Sequence, residues 1–203
     1  MAIVQTGLGT TASMLNMFRH IGVEAEVTPD PSQLDRFTHV VLPGVGHYSE
    51  GSRLLSDGGW RGPIAAFAAS GRPLLGVCLG MQLLGEGSDE GAGEGLGLLP
   101  FRMTLIPSAP GVPVPHMGWN TLTPVAHADQ RPAGVIDAES DSRYYFVHSY
   151  AAPADSTVAV ATTSYGSDFA SAVGRDNIVG AQFHPEKSHR FGMALLRRFA
   201  EAT

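Results

Sequence analysis

A single cysteine stands among the 203 residues of this sequence, so the chain cannot form an internal disulfide. No apolar run reaches the roughly 18 residues of a membrane-spanning helix, and we find no signal peptide. The net charge is −6 and the Lys and Arg residues are scattered, which argues against a nucleic-acid surface. The eight histidines lack His-x-x-x-His spacing and Cys-x-x-Cys is absent, so we expect neither a metal nor a cofactor. We therefore expect a cytoplasmic protein that binds neither nucleic acid nor a membrane.

The length favours a single domain over residues 1–203, with one sizeable core. The 25 glycines cluster at turns of an otherwise patterned chain, which argues against disorder. In the first half, strand-like and helix-like segments alternate, and this order predicts parallel strands joined by crossover helices. The strands predicted there are residues 3–4, 25–27, 39–42 and 74–77, and the helices cover about 11–21 and 64–69.

The second half of the sequence is mostly strand-like. Ser188 is expected to cap a final helix on which Phe191, Leu195 and Phe199 recur every four residues. The proline-rich stretch at 106–115 reads as an exposed connection. The predicted strands are residues 103–106, 119–122, 143–148, 158–162, 170–173 and 178–183, some of them in antiparallel hairpins. We therefore predict an α/β fold, with an open, mainly parallel sheet, helices on both faces and antiparallel edge strands.

Cys78 lies at a predicted tight turn between a strand and a helix. An apolar run at residues 73–77 leads into it, and helix-forming residues follow at once. Gly76 and Gly80 leave room for the turn and for the close approach of backbone and substrate. A thiol at a helix N-terminus also feels the positive end of the helix dipole, which favours the reactive thiolate. A buried structural cysteine is the alternative, but Gly-x-Cys-x-Gly after an apolar strand favours a nucleophile.

A second predicted strand, a hundred residues downstream, ends at a histidine. Glu186 follows His184 by two residues, and a proline between them stiffens the spacing. In a cysteine hydrolase, an imidazole takes the thiol proton and later protonates the leaving amine, while a carboxylate fixes its tautomer. A capped or surface histidine is the alternative for His184 alone. Paired with Cys78, the two residues predict a catalytic triad.

Two motifs resemble those of triad-type glutamine amidotransferases, Gly-Val-Cys-Leu-Gly-Met-Gln at 76–82 and Phe-His-Pro-Glu-Lys-Ser at 183–188. Three further stretches resemble the glutaminase subunit of imidazole glycerol phosphate synthase. They are Pro-Gly-Val-Gly-His-Tyr at 43–48, Pro-His-Met-Gly-Trp-Asn at 115–120 and Tyr-Tyr-Phe-Val-His-Ser-Tyr at 144–150. A related tryptophan-pathway subunit usually carries His where Met81 stands. The matching segments keep their order over nearly the whole chain, and the resemblance implies a flavodoxin-like fold.

The resemblance implies roles for residues around these motifs. The loop at 43–46 supplies an oxyanion-hole amide from Val45, and the amide of Leu79 is the second donor. A simple strand-to-helix turn is the alternative for this loop, and a solvated acidic loop is the alternative for Glu90. The residues implied to bind glutamine are Gly44, Gly46, Gln82, Glu90, Ser149 and Tyr150.

The implied reaction is hydrolysis of the glutamine side-chain amide through a thioester on Cys78. Because protonated ammonia is no nucleophile, the ammonia must pass directly to an acceptor site. We see no second catalytic domain in the sequence and therefore expect that site in a separate synthase. The resemblance implies a heterodimer with the cyclase subunit, a TIM barrel that forms imidazole glycerol phosphate and an aminoimidazole ribonucleotide. Trp119 and Tyr145 are core aromatics in the alternative reading, and Lys187 is an ordinary exposed lysine. The implied interface residues are Thr10, Trp119, Tyr145 and Lys187.

The sequence departs from the family pattern in its first loop. Thr10 stands where the family often has an interface asparagine, and Gln5 and Thr6 replace a common acidic-aromatic pair. The Gly-Leu-Gly-Thr stretch at 7–10 invites a nucleotide-binding interpretation but lacks the third glycine of Gly-x-Gly-x-x-Gly. These changes leave the triad intact and affect the expected partner contacts.

Two other functions stay open at this point. A paralogous glutaminase subunit would share the triad and feed ammonia to a different synthase, such as one that amidinates a sugar nucleotide. A non-catalytic scaffold subunit would keep the fold without turnover, although intact Cys78, His184 and Glu186 speak against it. The family further suggests that the isolated chain hydrolyses glutamine poorly until its partner and ligand bind, with the loop at 43–46 as the switch.

Overall fold

The computed structural model describes residues 1–9, 11–126, 134–136 and 141–203. Its helices are α1 (Thr11–His20), α2 (Tyr48–Asp57), α3 (Arg61–Ala69), α4 (Leu79–Leu84) and α5 (His189–Glu201), with 3-10 helices at Pro31–Arg36 and Pro185–Lys187. Its strands are β1 (Ala2–Val4), β2 (Glu26–Thr28), β3 (Val40–Gly44), β4 (Leu74–Cys78), β5 (Gly87–Ser88), β6 (Arg102–Leu105), β7 (His116–Thr121), β8 (Thr123–Pro124), β9 (Arg143–His148), β10 (Tyr150–Pro153), β11 (Ala159–Tyr165), β12 (Ser167–Arg175) and β13 (Ile178–Ala181). Within these described ranges, no helix is long and apolar enough to cross a membrane.

An eleven-stranded sheet forms the centre of the molecule. Its main path runs β2-β1-β3-β4-β13-β12-β10-β6-β5, and β11 and β8 extend it beside β12. The run from β2 to β13 is parallel, whereas β12 pairs antiparallel with β13, β10 and β11. The predicted α/β fold, with its parallel centre and antiparallel edge strands, is confirmed.

Helices cover both faces of this sheet. Val40 and Leu42 of β3 belong to one hydrophobic cluster, and Val41 between them belongs to a second. Because successive side chains of a strand point to opposite faces, the two clusters lie on opposite sides of the sheet. The first contains Leu55, Ile64 and Phe67 from α2 and α3, and the second contains Met14, Phe18, Leu195 and Phe199 from α1 and α5.

The start of α5 differs from the sequence prediction. Ser188 occupies the N-cap position, but its side chain does not cap the helix. Its hydroxyl donates to the carbonyl of His184 at 2.6 Å and accepts from the amide of Tyr145 at 3.0 Å. His189 then enters the helix with a φ of +47°. A 3-10 turn at Pro185–Lys187 separates the preceding strand from α5, so Ser188 secures the segment after His184 instead of the helix end.

A second, two-stranded sheet packs beside the main one. Its strands β7 and β9 are antiparallel, with His116 opposite His148 and Trp119 opposite Tyr145. The chain leaves β9 at His148 and enters β10 of the main sheet at Tyr150, so Ser149 alone lies between the two sheets. This crossing places residues 147–150 beside the carboxyl ends of β4 and β13, where the candidate site lies.

Candidate active site

Cys78 is the last residue of β4, a central strand between β3 and β13. Its backbone has a φ of 53° and a ψ of −113°, a left-handed conformation that is strained for a residue with a side chain. Gly80 follows so closely against β3 that a Cβ there would lie 1.8 Å from the carbonyl oxygen of Leu42. The sharp turn holds the thiol at the strand end with only 6% of the residue exposed.

His184 and Glu186 lie just after β13, the strand that pairs with β4. The imidazole Nδ1 is 2.7 Å from Glu186 Oε1, and both side chains are 1% exposed. The His184 backbone is fixed as well, since its amide donates to the carbonyl of Tyr145 at 2.9 Å. The parallel pairing of β4 and β13 thus brings Cys78 together with His184 and Glu186, which lie about a hundred residues later in the sequence.

The environment of His184 favours the imidazolium form. Burial lowers the pKa of His184, but its electrostatic interactions with Cys78 and Glu186 outweigh that effect and raise the pKa to about 9. Its second ring nitrogen, Nε2, makes no hydrogen bond within the described residues. That nitrogen is therefore left for exchange of a proton with the thiol, as a cysteine nucleophile with a histidine base requires.

A cavity of about 180 Å³ opens at Cys78, and we call it the Cys78 cavity. The candidate binding residues Gly46, Gln82, Glu90, Ser149 and Tyr150 all line it. Gly44 does not line it; this residue packs behind the turn, where a Cβ would lie 3.1 Å from Leu79 and Gly80. The remaining lining residues are Val45, Cys78, Leu79, Val147, His148 and His184.

A buried glutamine that the sequence analysis missed lies beneath the thiol. The side-chain amide of Gln182, which is fully buried, donates to Cys78 Sγ at 3.9 Å. The amide of Gln82 in turn donates to the side-chain oxygen of Gln182 at 3.2 Å. The available signal was a polar residue inside the apolar run before His184. Gln82 is therefore held in place through Gln182.

Glu90 is part of a hydrogen-bonded structure and not of a solvated loop. Its carboxylate accepts from the amide of Tyr48 at 2.8 Å, at the N-terminus of α2. Its own amide donates to the hydroxyl of Ser88 at 3.1 Å. These contacts fix a carboxylate at the wall of the Cys78 cavity, where it can bind a cationic ligand group.

The loop at 43–46 does not present the Val45 amide to the cavity in this conformation. That amide donates to the carbonyl of Leu8 at 3.0 Å, in the loop after β1. Gly46 has a φ of +111°, which suits glycine, and a Cβ there would meet no atom within 4 Å. The Leu79 amide is in the first turn of α4, where amides have no partner within the helix. One of the two expected oxyanion donors is thus engaged elsewhere.

Three of the predicted interface residues share one surface, which we call the Trp119 face. Trp119 is 46% exposed, and its ring meets that of Tyr145 edge-on, with ring centroids 6.0 Å apart. The ammonium of Lys187 lies 5.7 Å from the centre of the Tyr145 ring. His189, which the sequence analysis missed, stacks parallel on Trp119 at 5.4 Å. Thr10, the fourth predicted interface residue, lies outside the described residues.

The site shows no donor set for a metal. In the part of the chain that the structure describes, no group of three or more His, Cys, Asp or Glu side chains is arranged to hold a metal ion.

Comparison with known proteins places this architecture among amide-transferring enzymes. The family described as Glutamine amidotransferase class-I matches residues 2–202. The chain is 43% identical to the imidazole glycerol phosphate synthase subunit HisH of Geobacter metallireducens, over 98% of this chain and 96% of that protein. It is also 43% identical to HisH of Methanothermobacter thermautotrophicus, over 98% and 97% of the two chains.

Solved structures agree on the fold at low sequence identity. A structure titled as a glutamine amidotransferase superposes with a TM-score of 0.72 at 17% identity, over 98% of this chain and 97% of that one. The structure of PurLQS from Thermotoga maritima gives a TM-score of 0.73 at 18% identity, over 98% and 96% of the two chains. At such low identity these two matches bear on the fold alone.

Proposed function

Because the chain belongs to the class-I glutamine amidotransferase family, we propose that Cys78, His184 and Glu186 are its catalytic triad. The chain is a glutaminase whose ammonia feeds imidazole glycerol phosphate synthesis in the histidine pathway, as its full-length similarity to HisH subunits indicates. The main support for the triad is the pairing of β4 with β13. It places the buried thiol of Cys78, whose backbone is strained, beside a buried His–Glu pair.

The proposed reaction has two halves. The Cys78 thiolate attacks the side-chain amide carbon of glutamine, and the carbonyl oxygen becomes an oxyanion. His184 gives its proton to the amide nitrogen, ammonia leaves, and a thioester remains on Cys78. His184 then takes a proton from water, the resulting hydroxide attacks the thioester, and glutamate departs with the thiol restored. Glu186 holds the imidazole so that Nε2 serves both proton transfers.

We propose that the oxyanion hole is completed only when the loop at 43–46 rearranges. The Leu79 amide at the start of α4 is one donor. The Val45 amide becomes the second once it leaves the carbonyl of Leu8, to which it now donates at 3.0 Å. A single well-aimed donor contributes roughly a hundredfold or more in rate. The chain with its present loop is therefore expected to be a slow glutaminase.

Recognition of glutamine is assigned to the polar wall of the Cys78 cavity. The Glu90 carboxylate, already fixed by the Tyr48 amide, is placed to bind the α-ammonium of the substrate. Gln82 and the backbone of Ser149 and Tyr150 offer hydrogen bonds for its α-carboxylate and amide. Gly46 leaves space at the mouth of the cavity. The role of Gly44 is indirect, since it allows the loop to pack on Leu79 and Gly80.

The chain works with a partner subunit, since its relatives are named as subunits of a synthase. We propose that this partner is the cyclase subunit, a TIM barrel, and that the two form a heterodimer. The Trp119 face is the proposed docking surface because it places an exposed indole, an aromatic ring and an ammonium side by side. Tryptophan and tyrosine side chains dominate the binding energy at many interfaces. Thr10 is proposed as a further contact.

The proposed function is tested by measuring glutamate release from glutamine. The chain is assayed alone and with the host's cyclase subunit plus its phosphoribulosyl ligand, with Cys78→Ala as the blank. We expect weak release by the chain alone, strong stimulation by the partner and no release by the variant. Release that depends on Cys78 but ignores the cyclase would instead indicate a different synthase. Complete inactivity would contradict the enzyme assignment.

A further inference from the structure

Two buried histidines lie outside the proposed triad, next to the Cys78 cavity. His116 is the first residue of β7 and His148 is the last residue of β9, directly opposite it in register. The two residues are only 2% and 6% exposed. His148 lines the cavity, whereas His116 lies one layer behind it. The proposed mechanism uses neither imidazole.

The hydrogen bonds of the pair fix both tautomers. His148 Nδ1 is 2.9 Å from the carbonyl oxygen of Tyr150, so this nitrogen must carry a hydrogen. His148 Nε2 is then an acceptor, and it lies 3.1 Å from His116 Nδ1, which must be the donor. His116 Nε2 in turn accepts from the side-chain amide of Asn120 at 3.4 Å. That amide also donates to the carbonyl of Ser164, which fixes its orientation.

The chain of hydrogen bonds is consistent only when both rings are neutral. A proton on His148 Nε2 would face the N–H of His116, which sets two donors against each other. Burial also lowers the pKa of both side chains, to about 4 for His116 and about 3 for His148. His116 packs against aromatic rings, with ring centroids 4.9 Å from Phe146 and 4.0 Å from Tyr165. These surroundings hold the pair in one arrangement.

This chain of hydrogen bonds ends at the carbonyl of Tyr150, in the wall of the Cys78 cavity. The Tyr150 carbonyl belongs to the crossing at which the backbone leaves β9 and enters β10 through Ser149 alone. The imidazole of His148 holds this crossing through its hydrogen bond to the Tyr150 carbonyl. Ser149 and Tyr150 both line the Cys78 cavity, so their backbone positions decide how a substrate fits there.

We propose that His116 is a positioning residue for glutamine, which acts through His148 to fix the Ser149–Tyr150 wall of the Cys78 cavity. The proposal rests on the proposed function, because it takes that wall to be part of the glutamine site. His116 touches neither the substrate nor the thiol. Loss of the His116 side chain should therefore weaken the binding of glutamine and leave the rate of the chemical step largely unchanged.

The test compares two variants of His116 in the complex with the cyclase subunit and its ligand. His116→Phe keeps an aromatic ring for the stack with Phe146 and Tyr165 but removes the donor, and His116→Asn keeps an N–H near the position of Nδ1. His39→Phe is the matched control, since His39 is a half-buried histidine that packs on Phe199. The measurements are KM and kcat for glutamine, and labelling of Cys78 by 6-diazo-5-oxonorleucine and by iodoacetamide.

We expect His116→Phe to raise KM for glutamine and the half-saturating concentration of 6-diazo-5-oxonorleucine about fivefold, the size expected for one lost buried hydrogen bond. The kcat and the rate of labelling by iodoacetamide, which needs no glutamine pocket, should stay within about twofold, and His116→Asn should restore KM. Equal KM in wild type and His116→Phe, no rescue by Asn, or the same shift in His39→Phe overturns the proposal. If wild type itself fails to release glutamate, the proposed function fails and the positioning role falls with it.

A spectroscopic measurement covers the case in which His116→Phe does not fold. Nitrogen-15 spectra of the histidine side chains in the wild-type protein at about pH 7 report the tautomer of each ring. The proposal requires neutral His116 and His148, each with its hydrogen on Nδ1. An Nε2–H tautomer or a charged ring at either position overturns the proposal without any variant.

Discussion

His184 binds its proton more tightly in the folded chain than a histidine does in water. Its pKa is raised to about 9, from an ordinary value of 6.5, and the causes that raise it lie in Cys78 and Glu186. Between those two pH values the folded state holds a proton that the unfolded state has lost. The stabilisation is thus fully present below pH 6.5 and is lost as the pH rises through about 9.

We predict that wild type loses stability relative to His184→Asn as the pH rises from about 6 to about 9.5. The difference in unfolding free energy should shrink by an amount on the order of 3 kcal/mol, since the pKa rises from 6.5 to about 9 and each pKa unit corresponds to about 1.36 kcal/mol. Denaturant titrations of both proteins at several pH values measure it. Glu186→Gln is the intermediate case, because it removes one of the two partners of His184. A difference independent of pH would contradict the raised pKa.

At the residue scale, the sequence predicted those parts of the site that lie at the ends of strands. Cys78 and His184 each follow an apolar run, and parallel strands end at the same edge of a sheet, so their proximity followed from local patterns. Gln182 and the His116–His148 pair were missed because their contacts depend on which strands become neighbours. The order of strands in a sheet cannot be read from a single sequence. The proposed roles of the site residues remain predictions for the assays above.

Helix α4 can follow β4 directly only because Gly80 has no side chain. A Cβ there would lie 1.8 Å from the Leu42 oxygen and 2.8 Å from its carbonyl carbon, and a backbone atom cannot move aside cheaply. Gly62 in α3 offers a matched position, where a Cβ would meet nothing within 4 Å. The two glycines separate the effect of close packing from that of adding a methyl group.

We predict that Gly80→Ala destabilises the chain by at least about 3 kcal/mol and abolishes glutaminase activity, because α4 and the Cys78 turn must shift. Gly62→Ala should change stability by less than about 1 kcal/mol, in the stabilising direction, and leave activity unchanged. Thermal unfolding and glutamate release measure the two effects. A tolerated Gly80→Ala would mean that α4 does not pack on β3 as described.

Element prediction worked where the period of apolar residues was clear. The predicted strands of the first half coincide with β1 to β4 within two residues, and α5 carries Leu195 and Phe199 in its buried face as expected. Helix α2 was not predicted, since its sequence is mostly polar and its N-terminus is secured from a distance by Glu90. β10 was missed because it is separated from β9 by Ser149 alone.

On the scale of the whole molecule, the Trp119 face is the surface that the fold leaves exposed beside the site. Its side chains come from β7, from β9 and from the segment that leads into α5. These three segments are neighbours only in the folded chain, so the surface does not exist in any one of them alone. Met117, which is 61% exposed, lies two residues before Trp119 on the same side of β7.

The family assignment from the sequence was confirmed by full-length similarity to known proteins. It could be made because the five motifs keep their order over the whole chain and do not describe a local site alone.

We predict that Trp119→Ala raises the dissociation constant for the cyclase subunit at least about tenfold, as expected for a central aromatic contact. Leu105→Ala is the control, because Leu105 is 55% exposed but lies on β6, outside the Trp119 face, and should change binding by less than about twofold. Isothermal titration calorimetry measures both. At saturating cyclase, Trp119→Ala should regain most of its stimulated turnover. Unchanged affinity would place the docking surface elsewhere.

Strands β7 and β9 divide their residues between two surfaces by simple alternation. Met117, Trp119 and Tyr145 lie towards the outside, whereas His116 and His148 are buried beside the cavity. A substitution at Met117 or Trp119 therefore changes the outward surface and leaves the buried histidines in place. One two-stranded sheet can thus carry both a contact surface for another protein and, from its opposite side, a support for the wall of the cavity.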